Sequence, residues 1–146
     1  MNPSKTTNEA TRQEWRDLGF FYDVIEDRRE WLIRGDRNGL LRFADLLSDY
    51  SANSRNASLS EHDHYGPYSY LKIVTWSSAD INRHDIRGTI EDLKNLGQVV
   101  REAMKCTVSN EFVVREAFAP GALYSIRFML EPDGFDPSSA DIQLTE

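Results

Sequence analysis

An α+β fold, with one antiparallel sheet of about six strands and two helices on a single face, is what this sequence predicts. Three observations carry that expectation. Apolar residues recur at three- and four-residue spacing over 37–51 and again over 89–105, the signature of amphipathic helices. Short runs rich in aromatic and β-branched residues, bounded by polar or Gly/Pro turns, lie around them and read as strands. Ile33-Arg34-Gly35 returns as Ile86-Arg87-Gly88, each at the mouth of one helix, so a strand-strand-helix unit is read twice.

The elements follow in order, within a single domain spanning 1–146. Residues 1–6 are expected to fray, and Thr7 to cap a short helix through Trp15 and Leu18 that Gly19 ends. Phe20 to Ile25 reads as a strand, Glu26 to Glu30 as a polar turn, and Trp31 to Arg34 as the returning strand. Asp36 caps the first long helix, whose buried stripe is Leu40, Phe43, Ala44 and Leu47. Residues 51–67, rich in Ser, Asn and His and without a period, are expected as a mobile surface loop. Tyr68 to Trp76 is the next strand, with Leu71, Ile73 and Thr75 on one face and Tyr70, Lys72, Val74 and Trp76 on the other. Residues 77–82 turn the chain and His84 to Arg87 return it. Thr89 and Asp92 form a capping box for the second long helix, buried along Leu93, Leu96, Gly97, Val100 and Met104. Pro120-Gly121 turns a third hairpin between Phe112–Phe118 and Leu123–Leu130. Residues 131–146, acidic and without a basic residue, are expected as a solvated tail. The order is ββαββαββ, with a core that includes Val24, Leu32, Ile73, Phe112, Val114, Ile126 and Phe128.

An offset of 53 relates the two units (86 − 33). It places Leu40 on Leu93, Phe43 on Leu96, Leu46 on Val99, Leu47 on Val100 and the cap Asp36 on the cap Thr89; upstream, Phe20 and Phe21 fall on Ile73 and Val74. One such unit cannot bury its helix face alone, whereas two share a core.

The formal net charge is −7, and no Lys/Arg run exceeds Arg28-Arg29, which sets the chain against nucleic acid. Nothing approaches the roughly 20 apolar residues of a membrane span. Met1 to Gly19 lacks the apolar stretch of a secretory signal. Cys106 is the single cysteine, so no internal disulfide forms; a cytoplasmic location and a buried structural thiol are expected.

The segment Ile33-Arg34-Gly35-Asp36-Arg37-Asn38-Gly39-Leu40-Leu41-Arg42-Phe43-Ala44 resembles the strand-to-helix segment of some small α+β bacterial immunity proteins. That resemblance implies a protein that neutralises a toxin by binding it, with no catalytic residues to carry over.

The side chains themselves offer three candidate sites. His62 and His64 project to one side of an extended segment, as two imidazole metal ligands would, with His84 or Asp85 as a third; a solvated loop that happens to hold two histidines is the preferred explanation, because only two ligands are local. Arg34 and Arg87, each before a helix start, could clamp an anion, or simply pair with acidic neighbours. Trp31, Tyr65, Tyr68, Tyr70 and Trp76 could line a pocket or an interface, the residue types that dominate binding hot spots, or merely furnish the sheet. The functional expectation is a protein-binding domain without a cofactor. Its partner would be another protein, or a second copy if Tyr70 and Trp76 leave an aromatic sheet face uncovered. The alternative is a small-ligand or metal-dependent enzyme using the His62/His64 loop.

Overall fold

The computed structural model describes residues 5–106 and 109–144. The helices among them are α1 (Lys5–Leu18), α2 (Arg37–Ala52) and α3 (Ile90–Cys106). The strands are β1 (Phe21–Ile25), β2 (Glu30–Gly35), β3 (His62–Tyr65), β4 (Leu71–Thr75), β5 (Asp80–Ile81), β6 (Ile86–Gly88), β7 (Glu111–Val114) and β8 (Ser125–Leu130).

The class is α+β, but the single antiparallel sheet is corrected to two mixed four-stranded sheets, ordered β1-β2-β8-β7 and β5-β6-β4-β3. Each has a parallel central pair, β2 with β8 and β4 with β6, flanked by antiparallel hairpin partners. The helices cause this. After β2, α2 carries the chain away to β3 and β4, which join the sheet of β5 and β6; after β6, α3 carries it back so that β8 docks beside β2. The ββαββαββ order therefore gains β3 and β5, and the short helix expected ahead of it is present as α1. Reading neighbours in sequence as neighbours in space made β4 and β6 a hairpin; they are parallel, and the two-residue β5 makes the reversal. Phe21 pairs with Arg34 as Asp80 pairs with Arg87, so the counterpart of β1 is β5, and not the Ile73-Val74 stretch of β4.

Local chemistry sets the helix starts. Asp36 accepts a hydrogen bond from the Gly39 N–H at 2.8 Å. Thr89 and Asp92 exchange reciprocal bonds of 3.0 Å, closing the capping box. Helices α2 and α3 meet where Ala44 faces Gly97; a Cβ on Gly97 would stand 3.2 Å from the Ala44 carbonyl oxygen, so the close approach uses the missing side chain. Their stripes and the inward rows of both sheets form one core. Rings stack through it from Phe20 to Phe43 (5.5 Å), Phe43 to Phe128 (5.4 Å) and Phe128 to Phe112 (4.9 Å). Leu32, placed in the core by the sequence reading, is half-buried and packs against the edge of the core, on the opposite face of β2 from fully buried Trp31 and Ile33.

Other expectations are corrected. Lys5 and Thr6 are already helical and Thr7 lies inside α1, not at its cap, while 1–4 fall outside the described residues. Residues 51–67, expected as a loop without regular structure, hold ordered elements. They contain the edge strand β3, and fully buried Asn56 donates to the Tyr50 carbonyl at 2.9 Å. The acidic segment is packed as far as it is described. Glu131 pairs with Arg34 at 3.1 Å, Phe135 lies under the same guanidinium, Asp136 pairs with Arg16 at 2.9 Å, and Leu144 is buried. Glu131 and Asp136 are spent on arginines of β2 and α1, which is why charge alone misread the segment. Cys106 is exposed at the end of α3, two residues beyond the last buried position, Met104, and is not the buried thiol expected.

Candidate functional site

The open side of β1 is where three remote segments meet. Tyr22, on β1, donates its hydroxyl to the carbonyls of Tyr65 (3.2 Å) and Pro67, and accepts the Tyr70 N–H at 3.2 Å. This grip holds the β3–β4 turn in an uncommon shape. Tyr68 and Ser69 both sit at positive φ, +66° and +57°. For residues with a Cβ each such conformation costs on the order of 1 kcal/mol, and it persists only where surroundings fix it. The far end of Tyr68 is fixed too. Its hydroxyl donates to Asp141 Oδ2 at 2.7 Å, and the indole of Trp15 donates to the same oxygen at 2.9 Å. Asp141 is 5% exposed and forms no ion pair with any described residue.

These contacts enclose a cleft of 730 Å³. Its wall is a run of six aromatic rings, each within 6.4 Å of the next. Phe21 meets Trp15 (4.9 Å), which meets Tyr22 (5.1 Å) and Tyr68 (6.4 Å); Tyr22 meets Trp31 (6.4 Å) and Tyr68 meets Tyr70 (5.8 Å). Tyr68 and Tyr70 form an exposed lip, while the other four are buried. Charged groups also line the cleft: Asp23, Glu26 and Asp141 against Lys72 and Arg83, with His64 and His84. Arg83 is held by Glu26 at 2.6 Å. A volume of this size is typical of ligand-binding clefts, with apolar walls and a few polar groups to orient the occupant.

Of the candidates read from sequence, His64, His84, Tyr70, Trp31 and Tyr68 converge here. His62 does not line the cleft; its ring stands edge-on to His64 at 5.3 Å, and its Nδ1 meets the Ser60 carbonyl. Among the described residues no three His, Cys, Asp or Glu side chains gather as a metal site, so the structure does not bring His62, His64 and His84 together. Neither imidazole in the cleft bonds a carboxylate or a hydroxyl of a described residue; His64 Nδ1 faces the Ser69 carbonyl at 2.9 Å. Arg34 and Arg87 lie in separate sheets and cannot clamp one anion. Arg34 binds Glu131, and Arg87 makes two 2.8 Å bonds to buried Asp85 while covering the ring of Trp76 at 5.2 Å. The sequence reading missed Trp15, Phe21, Tyr22 and Asp141 as site residues. The only available signal was the density of aromatics between Trp15 and Trp31.

Burial pushes the Tyr22 hydroxyl up to about 12. Desolvation also raises Tyr65, helped by the charge of Asp63, and Tyr68, helped by its bond to Asp141. A tyrosine whose folded pKa exceeds its unfolded value of about 10 contributes stability that is complete below pH 10 and is lost as pH rises through the folded value. Stability should therefore fall above about pH 10. Absorbance at 295 nm should show these three phenols ionising late in the folded chain and near pH 10 in denaturant. Coincident folded and denatured titrations would contradict the geometry.

No described helix is long and apolar enough to cross a membrane. No protein-family model, curated protein or solved structure matches this chain.

Proposed function

We propose that this is a non-enzymatic binding protein that grips a partner protein in the aromatic cleft. The observation that carries the proposal is the lip, where Tyr68 and Tyr70 are held out to solvent on a strained turn that Tyr22 and Asp141 lock in place. Rigid aromatic side chains beside a preformed cavity supply contact area at little entropic cost, which is how binding hot spots are built. An inhibitor of the bacterial immunity type, acting in the cytoplasm, fits a binder of this kind. The segment that carries the resemblance, 33–44, is spent on the core and the α2 start, so the gripping surface lies elsewhere. A second copy of the chain is the lesser candidate partner. Arg34 on β2 is engaged by Glu131, α1 is tied to 131–144 through Arg12 and Arg16, and Arg87 stacks on the ring of Trp76, which stays partly exposed.

We also infer that the chain is a tandem of two ββαββ units that exchange their second hairpins. The support is the common strand order of the two sheets, with the offset of 53 holding from Ile33/Ile86 through Ala44/Gly97 to Leu47/Val100.

A photo-cross-linking residue tests the binding reading. Placed at position 70 in the full chain and activated in native lysate, it should give one discrete adduct. Placed at exposed Lys94, on α3, it should give none. Equal labelling from both positions, or none from position 70, would remove the cleft as the binding surface.

A further inference from the structure

We infer that the partner enters this cleft with a basic side chain, an arginine or lysine on a projecting segment, received by the aromatic wall. The inference rests on the reading of the cleft as a protein-binding site and adds the chemistry of what it binds. Aromatic faces carry negative quadrupole charge and attract cations within about 6 Å of the ring centre. Tyr68 and Tyr70 expose such faces here, backed by four buried rings, and the carboxylate of Asp141 lies behind Tyr68, hydrogen-bonded to it and to Trp15 but paired with no described cation. A buried negative charge behind a ring makes its open face a better site for a positive one.

The charges agree. With histidines neutral, Asp23, Glu26 and Asp141 against Lys72 and Arg83 leave the lining at −1, and Arg83 is already held by Glu26. On the β1 lip, exposed Asp23 forms no ion pair with a described residue, so it is placed to meet the incoming head group. Lys72, with His64 and His84, opposes this from the other wall. Asp85 sits near Lys72 but is held by Arg87. Across the whole chain the formal charge is −7, which favours encounter with basic partners. Because charges farther apart than about 8 Å are screened at physiological salt, the two walls and not the distant surface decide the outcome once the partner is seated.

The test is selection of a random heptapeptide library on the immobilised full chain at physiological salt, followed by affinity measurement on the enriched peptides. The expected consensus holds one arginine or lysine flanked by apolar residues. Asp23→Lys should weaken the enriched peptide about tenfold and Lys72→Glu should strengthen it, opposite shifts that a general loss of folding cannot produce. Tyr70→Ala, at a side chain 68% exposed, should weaken it without changing the circular dichroism spectrum. An acidic or uncharged consensus that Tyr70→Ala still weakens would overturn the basic-partner inference and leave the cleft as a binding site. Absence of enrichment, or enrichment indifferent to Tyr70→Ala, would overturn both.

Discussion

Replacing Phe43 with alanine should lower the unfolding free energy by about 3–5 kcal/mol, the range for deleting a fully buried aromatic ring. Phe43 is 0% exposed and its ring bridges Phe20 on one side and Phe128 on the other, so the cavity would open between α2 and two separate strands of chain. Those walls belong to a helix and a sheet that hold each other rigid, so they cannot collapse inward to recover the lost contacts. A domain of ordinary stability has only about 5–15 kcal/mol in total. Urea titration should show a midpoint displaced by a large fraction of its value with the slope unchanged. A loss under about 1 kcal/mol would mean that the ring column is not packed as described.

Gly39→Ala should also destabilise, against the usual trend for a helical glycine. In the helix interior alanine is favoured over glycine by about 1 kcal/mol. At Gly39, however, a Cβ would stand 2.3 Å from the carbonyl oxygen of Gly19, which is backbone and cannot rotate away. To make room, the turn between α1 and β1 must move off α2, and overpacking of this kind costs about 1–3 kcal/mol, occasionally more. The clash exceeds the propensity gain, so the net sign is negative. Because α1 carries Trp15, the displacement should reach the cleft as well, and it is measurable as a change in tryptophan emission. A variant as stable as the parent, or more so, would show that α1 does not seat against α2 in solution.

What the sequence disclosed and what it withheld divide along the range of the interaction. The Asp36 cap, the Thr89/Asp92 box and the stripes of α2 and α3 are local chemistry, written within a few consecutive residues, and they are where they were expected. The β7–β8 pairing was legible too, though its strands are shorter than expected: the connection runs over residues 115–124, and Gly121 within it does not take a positive φ. The parallel pairings were not, because nothing in the neighbourhood of Ile33 announces Phe128 beside it. Strand β3 was hidden by its composition: an edge strand with His62, His64 and Asp63 has only one paired side and needs no apolar run. The cleft suffered most. Tyr68, Tyr70 and Trp31 could be flagged by type, but Trp15 and Asp141 meet through a bond spanning 126 positions, and that convergence is a product of folding rather than of pattern.

The pairing of β2 with β8, strands far apart in sequence, has a consequence for how the chain reaches its fold. Strand β2 leaves the ribosome with β1 beside it, but its other edge stays open until β8 has been made; the Glu30–Arg127 bond that closes the seam spans 97 positions. The sheet of β3, β4, β5 and β6 is complete once residue 88 has been made, but that of β1 and β2 must wait for β7 and β8, so folding ends on a search for the most distant contacts, a route that is slow for its size. During that wait β2 exposes an unpaired edge of the kind that recruits other chains. A cut in the Ser77–Ser78 connection would leave two pieces that each lack half of both sheets, each able to fold only by finding the other.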